Sequence, residues 1–577
     1  MNRRAVVPLL AVAVLGLTSC SIVPTSSPTV QITQAPERPS ANVITEPLSP
    51  ITGATPEEIV RGFIDASAST VRGHPVAVEH LTPDAAASWS DAGKIWIISR
   101  DYATVASEAG TVAVSANLVG TIDERGVFAV AGAESFTRQF SLVQIDGEWR
   151  ITNPPDGLIM LQLDFERLYD TLDAYFLDPT GQRLVPDPRH LISGEAQPTA
   201  LVERLLEGPS AALAPGVRNP LAGAQLARTV TIEGQTAVVD LVDVDVEPGP
   251  ALAELCAQIT WTLEQLDDFR ITSVTISIEG EVVRPDDVPR QQTTDDWAQF
   301  DPDAAPVDAV GHYLDNGVLR TLPEGAPAPG QVGDGGYGLT SAAVAADTRT
   351  RELTVVFGVR PDPAGARLWA GPYGGDLSPL PHVGGAFTPP TVAATGTEAW
   401  TVRDGTEILR VPAGAPAAQG VVAPDLPNLG RVQVLELSPD GVRAAVVIAG
   451  AEGSRLYLGT VVRSDPAGIV EVRGLREVAP SLGRVVDVAW RTAGELWALG
   501  DTGEGRIGPY SVGVDGWGLL RERTNGLPGE PTSLAAAPGR QPLVVANGFL
   551  WQRSGVSWVT LIRGRGPLPG SAPFFPL

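Results

Sequence analysis

The chain has 577 residues, a formal net charge of −26, and 67 acidic against 41 basic residues. This balance excludes the basic face that contact with nucleic acid or with anionic lipid head groups requires, so we expect neither as a partner. The length suggests three or four domains, and 62 glycines and 51 prolines indicate many turns within a globular composition.

The first 19 residues have the pattern of a secretory signal peptide. Two arginines, Arg3 and Arg4, precede an uncharged apolar run from Ala5 to Leu17. That run is shorter than the roughly 20 apolar residues that span a bilayer. We therefore expect residues 1–19 to be removed on export.

The stretch Leu17-Thr18-Ser19-Cys20 resembles the lipobox of bacterial lipoproteins. This resemblance implies cleavage between Ser19 and Cys20, and it makes Cys20 an S-diacylglycerol cysteine that then receives an N-acyl chain such as palmitate. Two or more acyl chains hold a protein stably on a membrane. Residues 20–54, rich in Pro, Ser and Thr, then form a flexible tether. The expected location is the outer face of the plasma membrane.

Residues 55–160 predict a first α+β domain. Thr55-Pro56-Glu57-Glu58 has the N-cap, proline and glutamate of a helix start, and Thr82-Pro83 indicates a second one. Two helices followed by an antiparallel sheet resemble an NTF2-like or cystatin-like domain. The alternating segments that predict its strands are Thr111–Val119, Gly126–Ala131, Ser135–Ile145 and Trp149–Ile151.

Residues 165–285 predict a second α+β domain, which resembles the GerMN domain through its helix end Leu205-Leu206-Glu207-Gly208-Pro209. Cys256 lies in an apolar stripe at helical spacing, which indicates a buried thiol and not a reactive one. The resemblance implies binding or assembly. The predicted elements are a strand Ala174–Leu177, a helix Thr199–Glu207, a hairpin Thr229–Ile232 with Thr236–Leu241, the helix with Cys256, and a strand through Val274, Ile276 and Ile278.

Residues 286–306 are acidic and predict a linker, and residues 307–577 predict a β-propeller. Short strands recur between Gly, Pro and Asp turns, which is typical of radially repeated sheets. The turn Ser438-Pro439-Asp440-Gly441 resembles the blade turn of TolB-like and WD40-like propellers. At roughly 40 to 45 residues per blade, this segment has room for about six blades. Its predicted strands are Glu352–Gly358, Ala366–Ala370, Glu398–Arg403, Arg443–Ile448, Arg455–Val462, Val485–Trp490, Glu495–Gly500, Pro542–Ala546, Phe549–Gln552 and Trp558–Ile562.

No pattern in the chain predicts catalytic, cofactor-binding or metal-binding residues. Asp243, Asp245 and Glu247 alternate with valines, which favours the solvated face of a strand over a cation site. The segment Gly333–Gly338 matches the sequence motif GxGxxG, but prolines precede it, so we interpret it as a loop entering the propeller. The histidines show no short ligand spacing; they are His74, His80, His190, His312 and His382.

The tryptophans of the C-terminal region allow two interpretations. They could form one ligand-binding face, but packing between blades is the expected role for most of them. They are Trp369, Trp400, Trp490, Trp497, Trp517, Trp551 and Trp558.

The order of lipobox, tether, α+β domain, GerMN-like domain and propeller resembles the actinobacterial lipoprotein LpqB family. The start Cys20-Ser21-Ile22-Val23-Pro24-Thr25-Ser26 is similar to the mature start of that family. This resemblance implies a non-enzymatic lipoprotein that binds the extracellular domain of an MtrB-like sensor histidine kinase. The kinase would belong to the MtrA–MtrB two-component system, with effects on cell-wall homeostasis and division.

Two other functions remain open from the sequence. One is an envelope glycan-binding protein or propeller hydrolase, which needs acids and aromatics at a mouth of the propeller channel. The other is a TolB-like structural envelope protein that leaves kinase signalling unchanged.

Overall fold

The computed structural model describes residues 47–107, 110–285, 287–306, 310–347, 350, 352–393, 398–464 and 468–577. The predicted signal peptide, Cys20 and most of the predicted tether lie outside these ranges. Residues 47–577 form one compact unit, in which two α+β domains are followed by a propeller, and this confirms the predicted fold class.

The first domain begins with the predicted capped helix. The Thr55 hydroxyl accepts a hydrogen bond from the Glu58 amide, and Glu58 accepts one from the Thr55 amide at 2.7 Å, so the capping box is confirmed. The apolar face of this helix, with Phe63 at its centre, is buried against the sheet. The helices of this domain are Pro56–Ala66, Pro75–Val78, Pro83–Ser88 and Gln162–Leu168.

Its sheet has seven strands built around the long strand Thr111–Ile122. Ser135–Ile145 pairs antiparallel with that strand, as its alternating pattern predicted. Ile95–Ile98 pairs with it on the other side and parallel to Leu158–Leu161; neither of these two apolar strands was predicted. The remaining strands are Ala103–Ser107, Phe128–Val130 and Glu148–Ile151.

The second domain packs two helices against a five-stranded sheet, beside a two-stranded sheet that was only partly predicted. Cys256 is fully buried in the helix Pro250–Glu264, as predicted. The other helix is Gln197–Leu206, with short 3₁₀ turns at Ala214–Gly216 and Asp267–Phe269. The strands are Tyr169–Leu177 with Leu184–Ile192, then Gln225–Leu226, Thr231–Glu233, Thr236–Val242, Ser273–Ile278 and Glu281–Val282.

The strand expected to continue through Asp243, Asp245 and Glu247 does not form. The strand ends at Val242, because Asp243 takes a left-handed backbone conformation with φ of 56°. This prediction was wrong, and the three acidic residues lie in an irregular segment.

Part of the segment predicted as a linker packs onto the second domain. Residues Thr294–Phe300 form a 3₁₀ helix, and Trp297 is buried in the core of that domain. The Trp297 indole N–H donates to Gln292 at 3.2 Å.

The propeller contains six blades in the described residues, five with four strands and the last with five, in line with the predicted number. The last strand, Ser571–Phe574, pairs with His312–Asp315 of blade 1 and so closes the ring. The inner strands of successive blades contact one another around a central channel.

The blades consist of the following strands, and blade 6 also carries Leu568–Pro569. Blades 1 and 2 consist of His312–Asp315, Val318–Thr321, Ala326–Pro327 and Ser571–Phe574, and of Ser341–Ala346, Leu353–Asp362, Gly365–Pro372 and Ser378–Val383. Blades 3 and 4 consist of Thr391–Val392, Glu398–Arg403, Glu407–Pro412 and Gln419–Val421, and of Arg431–Leu437, Arg443–Gly450, Gly453–Ser464 and Ile469–Glu477. Blades 5 and 6 consist of Arg484–Thr492, Glu495–Asp501, Gly508–Gly513 and Leu520–Arg521, and of Pro531–Ala535, Leu543–Ala546, Phe549–Ser554 and Ser557–Val559.

Two loops of the propeller bear on the sequence predictions. The GxGxxG segment, Gly333–Gly338, lies between blades 1 and 2 with no helix after it, so it is the loop that the prolines indicated. The strand predicted over Trp558–Ile562 ends at Val559, because the chain then turns. A short helix, Leu426–Leu429, joins blades 3 and 4.

Candidate functional site

Cys256 and His312, two side chains of types that can act in catalysis, are buried. Burial raises the pKa of the Cys256 thiol to about 12, so the thiol is not a nucleophile near neutral pH. Burial also lowers the pKa of His312 to about 4, and its Nε2 lies 2.9 Å from the Tyr373 hydroxyl. Within the described ranges, no group of three His, Cys, Asp or Glu side chains has a metal-site arrangement.

The histidines lie in separate parts of the molecule. His74 lies 2.9 Å from Asp91 in the first domain, and His80 bonds to a backbone carbonyl there. His312 belongs to the propeller, and only His190 reaches across a domain boundary in the contacts of the described residues.

Most of the propeller tryptophans pack between blades, as expected. Trp400 is buried between blades 3 and 4, Trp490 between blades 4 and 5, and Trp497 with Trp558 between blades 5 and 6. Trp517 differs from these, because its ring contacts aromatic residues of the first domain.

The three domains meet at a buried cluster that we call the joint. It comprises Phe128 and Phe165 of the first domain, Pro186, Asp187, Arg189 and His190 of the second, and Arg443, Asp515 and Trp517 of the propeller.

His190 is the centre of the joint. Its Nε2 lies 2.8 Å from an Asp515 carboxylate oxygen, across 325 positions of sequence. Its ring centroid lies 5.5 to 5.6 Å from those of Phe128, Phe165 and Trp517. The exposed fraction of its side chain is 1%, so the hydrogen bond forms away from water. If this bond broke, a buried polar group would lose its partner and the folded state would lose stability. The bond therefore fixes the second domain against the propeller.

A second polar contact lies beside His190. Arg443 follows the Ser438–Gly441 turn of blade 4 and donates to the Pro186 carbonyl of the second domain. Its other terminal nitrogen lies 3.5 Å from the buried carboxylate of Asp440. The blade turn noted in the sequence therefore positions a cation at the domain boundary.

Arg189 and Asp187 brace the second domain from within. Their side chains pair at 2.9 Å, and the Ser210 amide and hydroxyl also donate to Asp187. Arg189 is fully buried, so its charge is compensated by this carboxylate and by backbone carbonyls.

Two buried carboxylates beside the joint, Asp173 and Asp303, have raised pKa values. Burial raises the pKa of Asp173 to about 7, and Arg443 opposes this, while Asp187, Asp515 and Asp303 reinforce it. Burial likewise raises the pKa of Asp303 to about 6, although its side chain accepts the Ala493 amide of the propeller at 2.7 Å. The joint is therefore sensitive to pH between about 6 and 7.

A cavity of about 400 Å³ lies beside the joint and is lined by all three domains. This volume is in the range of small-molecule sites, which favour domain interfaces. The apolar part of its wall comes from one residue of each domain, Phe128, Leu213 and Leu458. Three arginines also line the cavity: Arg125, Arg443 and Arg476.

The propeller channel holds a smaller cavity. Its cavity measures about 50 Å³, and Trp490, Phe574 and Phe575 fill its wall. Glu436 lines this cavity, and the charge of Asp487 acts on Glu436. Burial raises the pKa of Glu436 to about 8 and that of Asp487 to about 6. This volume is well below the roughly 300 Å³ or more of typical small-molecule sites.

Sequence reasoning missed the joint. His190, Arg443 and Asp515 are distant in the chain, and none belongs to a motif that indicates a contact. The available signal was the strand Leu184–Ile192 itself, in which eight successive residues are buried together with charged side chains. Charged residues are buried in this way only when they are paired.

The fold and the joint define a class of multidomain propeller protein in which two α+β domains are fixed to one face of the propeller by buried polar contacts. The family models that match are the lipoprotein LpqB N-terminal domain at residues 49–166, the sporulation and spore germination domain at 173–284, and the lipoprotein LpqB β-propeller domain at 318–576.

Relatives match across most of the chain. Lipoprotein LpqB of Rhodococcus opacus is 31% identical over 520 residues, covering 85% of this chain and 84% of that protein. Lipoprotein LpqB of Thermobifida fusca is 28% identical and covers 93% of this chain and 94% of that protein. The chain belongs to the lipoprotein LpqB family, whose members are membrane-anchored envelope proteins. In residues 47–577 as described, no helix is long and apolar enough to cross a membrane.

Among solved structures, TolB of Acinetobacter baumannii is 10% identical with a TM-score of 0.33, covering 48% of this chain and 68% of that chain. This similarity is too low to inform the function.

Proposed function

We propose that the chain is held on the outer face of the plasma membrane by lipids on Cys20 and binds the extracellular domain of a sensor histidine kinase. The partner implied by the family resemblance is an MtrB-like kinase of an MtrA–MtrB two-component system. The protein acts by binding and not by catalysis, and it biases the kinase toward one of its conformations.

The observation that carries this proposal is the joint. A lipid tether raises the local concentration of a body near a membrane-embedded partner, but only a rigid body presents a fixed composite surface to it. The contacts of His190 with Asp515 and of Arg443 with Pro186 supply such rigidity, because buried polar partners cannot separate without leaving unpaired groups. Binding by such a body requires no reordering of its domains, and this lowers the entropic cost of association.

The test is a crosslinking pull-down from native membranes with the lipidated protein. The expected result is recovery of a sensor kinase, with recovery falling sharply for Cys20→Ala. A third sample carries Asp515→Asn, which weakens the joint and leaves lipidation intact. We expect it to recover less kinase than the wild type, because the composite surface is no longer fixed.

Two outcomes would contradict the proposal. Recovery of envelope glycans or cell-wall enzymes without a kinase would favour glycan binding. Recovery of envelope proteins with kinase output unchanged on deletion would favour a TolB-like structural protein.

A further inference from the structure

Among the described residues, one cation in the wall of the cavity beside the joint has no direct carboxylate partner. Of the three arginines in its wall, Arg443 lies 3.5 Å from Asp440, and Arg125 lies 3.7 Å from Glu207. Arg476, on the outer strand of blade 4, has no carboxylate within 4 Å among the described residues. The hydrogen bond that its guanidinium makes runs from Nη2 to the Val514 carbonyl at 2.9 Å.

The carboxylates near Arg476 are already engaged elsewhere. Asp515 accepts from the Trp517 amide at 2.9 Å and pairs with His190. Asp187 accepts from Arg189 and Ser210.

The other two carboxylates of the wall are engaged as well. Asp123 accepts the Arg125 and Val127 amides of its own turn, each at 2.9 Å. Glu477 lies 3.6 Å from Arg455. The charge of Arg476 is therefore offset only in part, by Asp515 and Asp187 at a distance.

The surroundings of Arg476 disfavour its charged form. Burial lowers the pKa of Arg476, and the nearby Arg443 guanidinium lowers it further. Arg476 is only partly exposed, and an anion placed in the cavity would supply a direct partner through the fork of guanidinium N–H groups.

We propose that this cavity binds a small organic anion, with a carboxylate on Arg476 and an apolar part against Phe128, Leu213 and Leu458. The volume of about 400 Å³ accommodates a molecule of this kind. Because the wall comes from three domains, the bound anion stabilises the joint and links ligand concentration to the rigidity of the body.

The proposal is tested by thermal unfolding of the non-lipidated full chain with acetate, butyrate and benzoate, each against chloride at equal ionic strength. We expect the unfolding temperature to rise in the order acetate, butyrate, benzoate, because the apolar part adds buried area, with Kd for benzoate of about 1 mM or below. In Arg476→Gln we expect the benzoate affinity to fall about tenfold or more.

Arg473→Gln is the matched control, because Arg473 lies on the same strand, is half exposed and pairs with Glu471. We expect it to keep the wild-type response. Ala211→Trp provides a second variant that does not disturb the core, since Ala211 is exposed and lines the cavity, and its indole would occupy the ligand space.

Absence of stabilisation by all three carboxylates in the wild type would overturn the proposal. Equal stabilisation of the wild type, Arg476→Gln and Ala211→Trp would also overturn it, because the anions would then act at another place. These outcomes leave kinase binding untouched, which the pull-down measures separately.

Discussion

The joint and the propeller channel both bury acidic side chains, but they compensate the charge in different ways. In the joint, Asp187 pairs with Arg189 and Asp515 pairs with His190. In the channel, Glu436 accepts a hydrogen bond from the Thr391 hydroxyl at 2.7 Å, and burial together with the nearby charge of Asp487 raises its pKa to about 8. The joint therefore depends on keeping both members of each pair, whereas the channel depends on keeping its acids protonated.

The largest expected effect is at Arg443. Replacing it by Met removes the cation beside buried Asp440 and the donor to the Pro186 carbonyl. Removing one member of a buried pair costs about 3 to 5 kcal/mol. We expect a loss of this size in the free energy of unfolding measured with urea.

Arg473→Met is the control for this change, because the Arg473–Glu471 pair is exposed and should contribute about 0 to 1 kcal/mol. Equal losses in the two variants would remove the distinction between the joint and the surface.

In the channel, the expected effect is a dependence of stability on pH, through the carboxyl group of Glu436. Its folded-state pKa of about 8 exceeds the unfolded value, so the stabilisation is fully present below about pH 4 and is lost as the pH rises through 8. We expect Glu436 to account for a fall of about 2 to 4 kcal/mol in wild-type stability between pH 5 and pH 9, and Glu436→Gln to remove that part. The raised pKa values of Asp173, Asp303 and Asp487 add to the total fall in both proteins. Unfolding midpoints across this range provide the measurement, and a flat wild-type profile would refute the assignment.

A smaller effect is expected from the coupling of His190 to Asp515. Since each side chain is buried and bonds to the other, a double-mutant cycle of His190→Ala and Asp515→Ala should show coupling of about 1 to 2 kcal/mol. His190→Ala combined with Glu436→Gln should be additive within about 0.5 kcal/mol, since the two sites share no partner. Additivity of the first pair would show that the joint is not held by this bond.

A pH effect of the size expected at Glu436 is also expected at Asp173, which lies beside the joint. Arg443 faces it, but Asp187, Asp515 and Asp303 also do, and its pKa stays raised at about 7. Its contribution is fully present below about pH 4 and is lost as the pH rises through 7, so Asp173→Asn should be more stable than the wild type at pH 8 by about 2 to 4 kcal/mol. Calorimetry at pH 5 and pH 8 measures this difference, and a variant less stable at pH 8 would contradict it.

The predictable parts of this fold are those whose signals are local. The Thr55–Glu58 capping box, the alternation in Ser135–Ile145 and the stripe around Cys256 each report on a contact within a few residues or on one face of an element. Each of these was predicted from the sequence and is confirmed.

The strand Leu184–Ile192 was not predicted, because it contains Pro186 and Pro188 and shows no alternation. Prolines are tolerated there, since this strand pairs only with Tyr169–Leu177 among the described strands and can leave its other edge without ladder bonds. The joint was missed for a related reason: the partner of His190 lies 325 positions away, and no local pattern encodes such a contact.

The central claim is that the joint makes one rigid body of the three domains. Its most direct test is a distance distribution by electron paramagnetic resonance between spin labels on Val71 of the first domain and Val556 of blade 6, both exposed, in the non-lipidated Cys20→Ala chain. Cys256 is fully buried and should not be labelled. We predict a single narrow distribution in the otherwise unaltered chain and a broad one after Arg443→Met with Asp515→Asn. A broad distribution before the joint is altered would contradict the account.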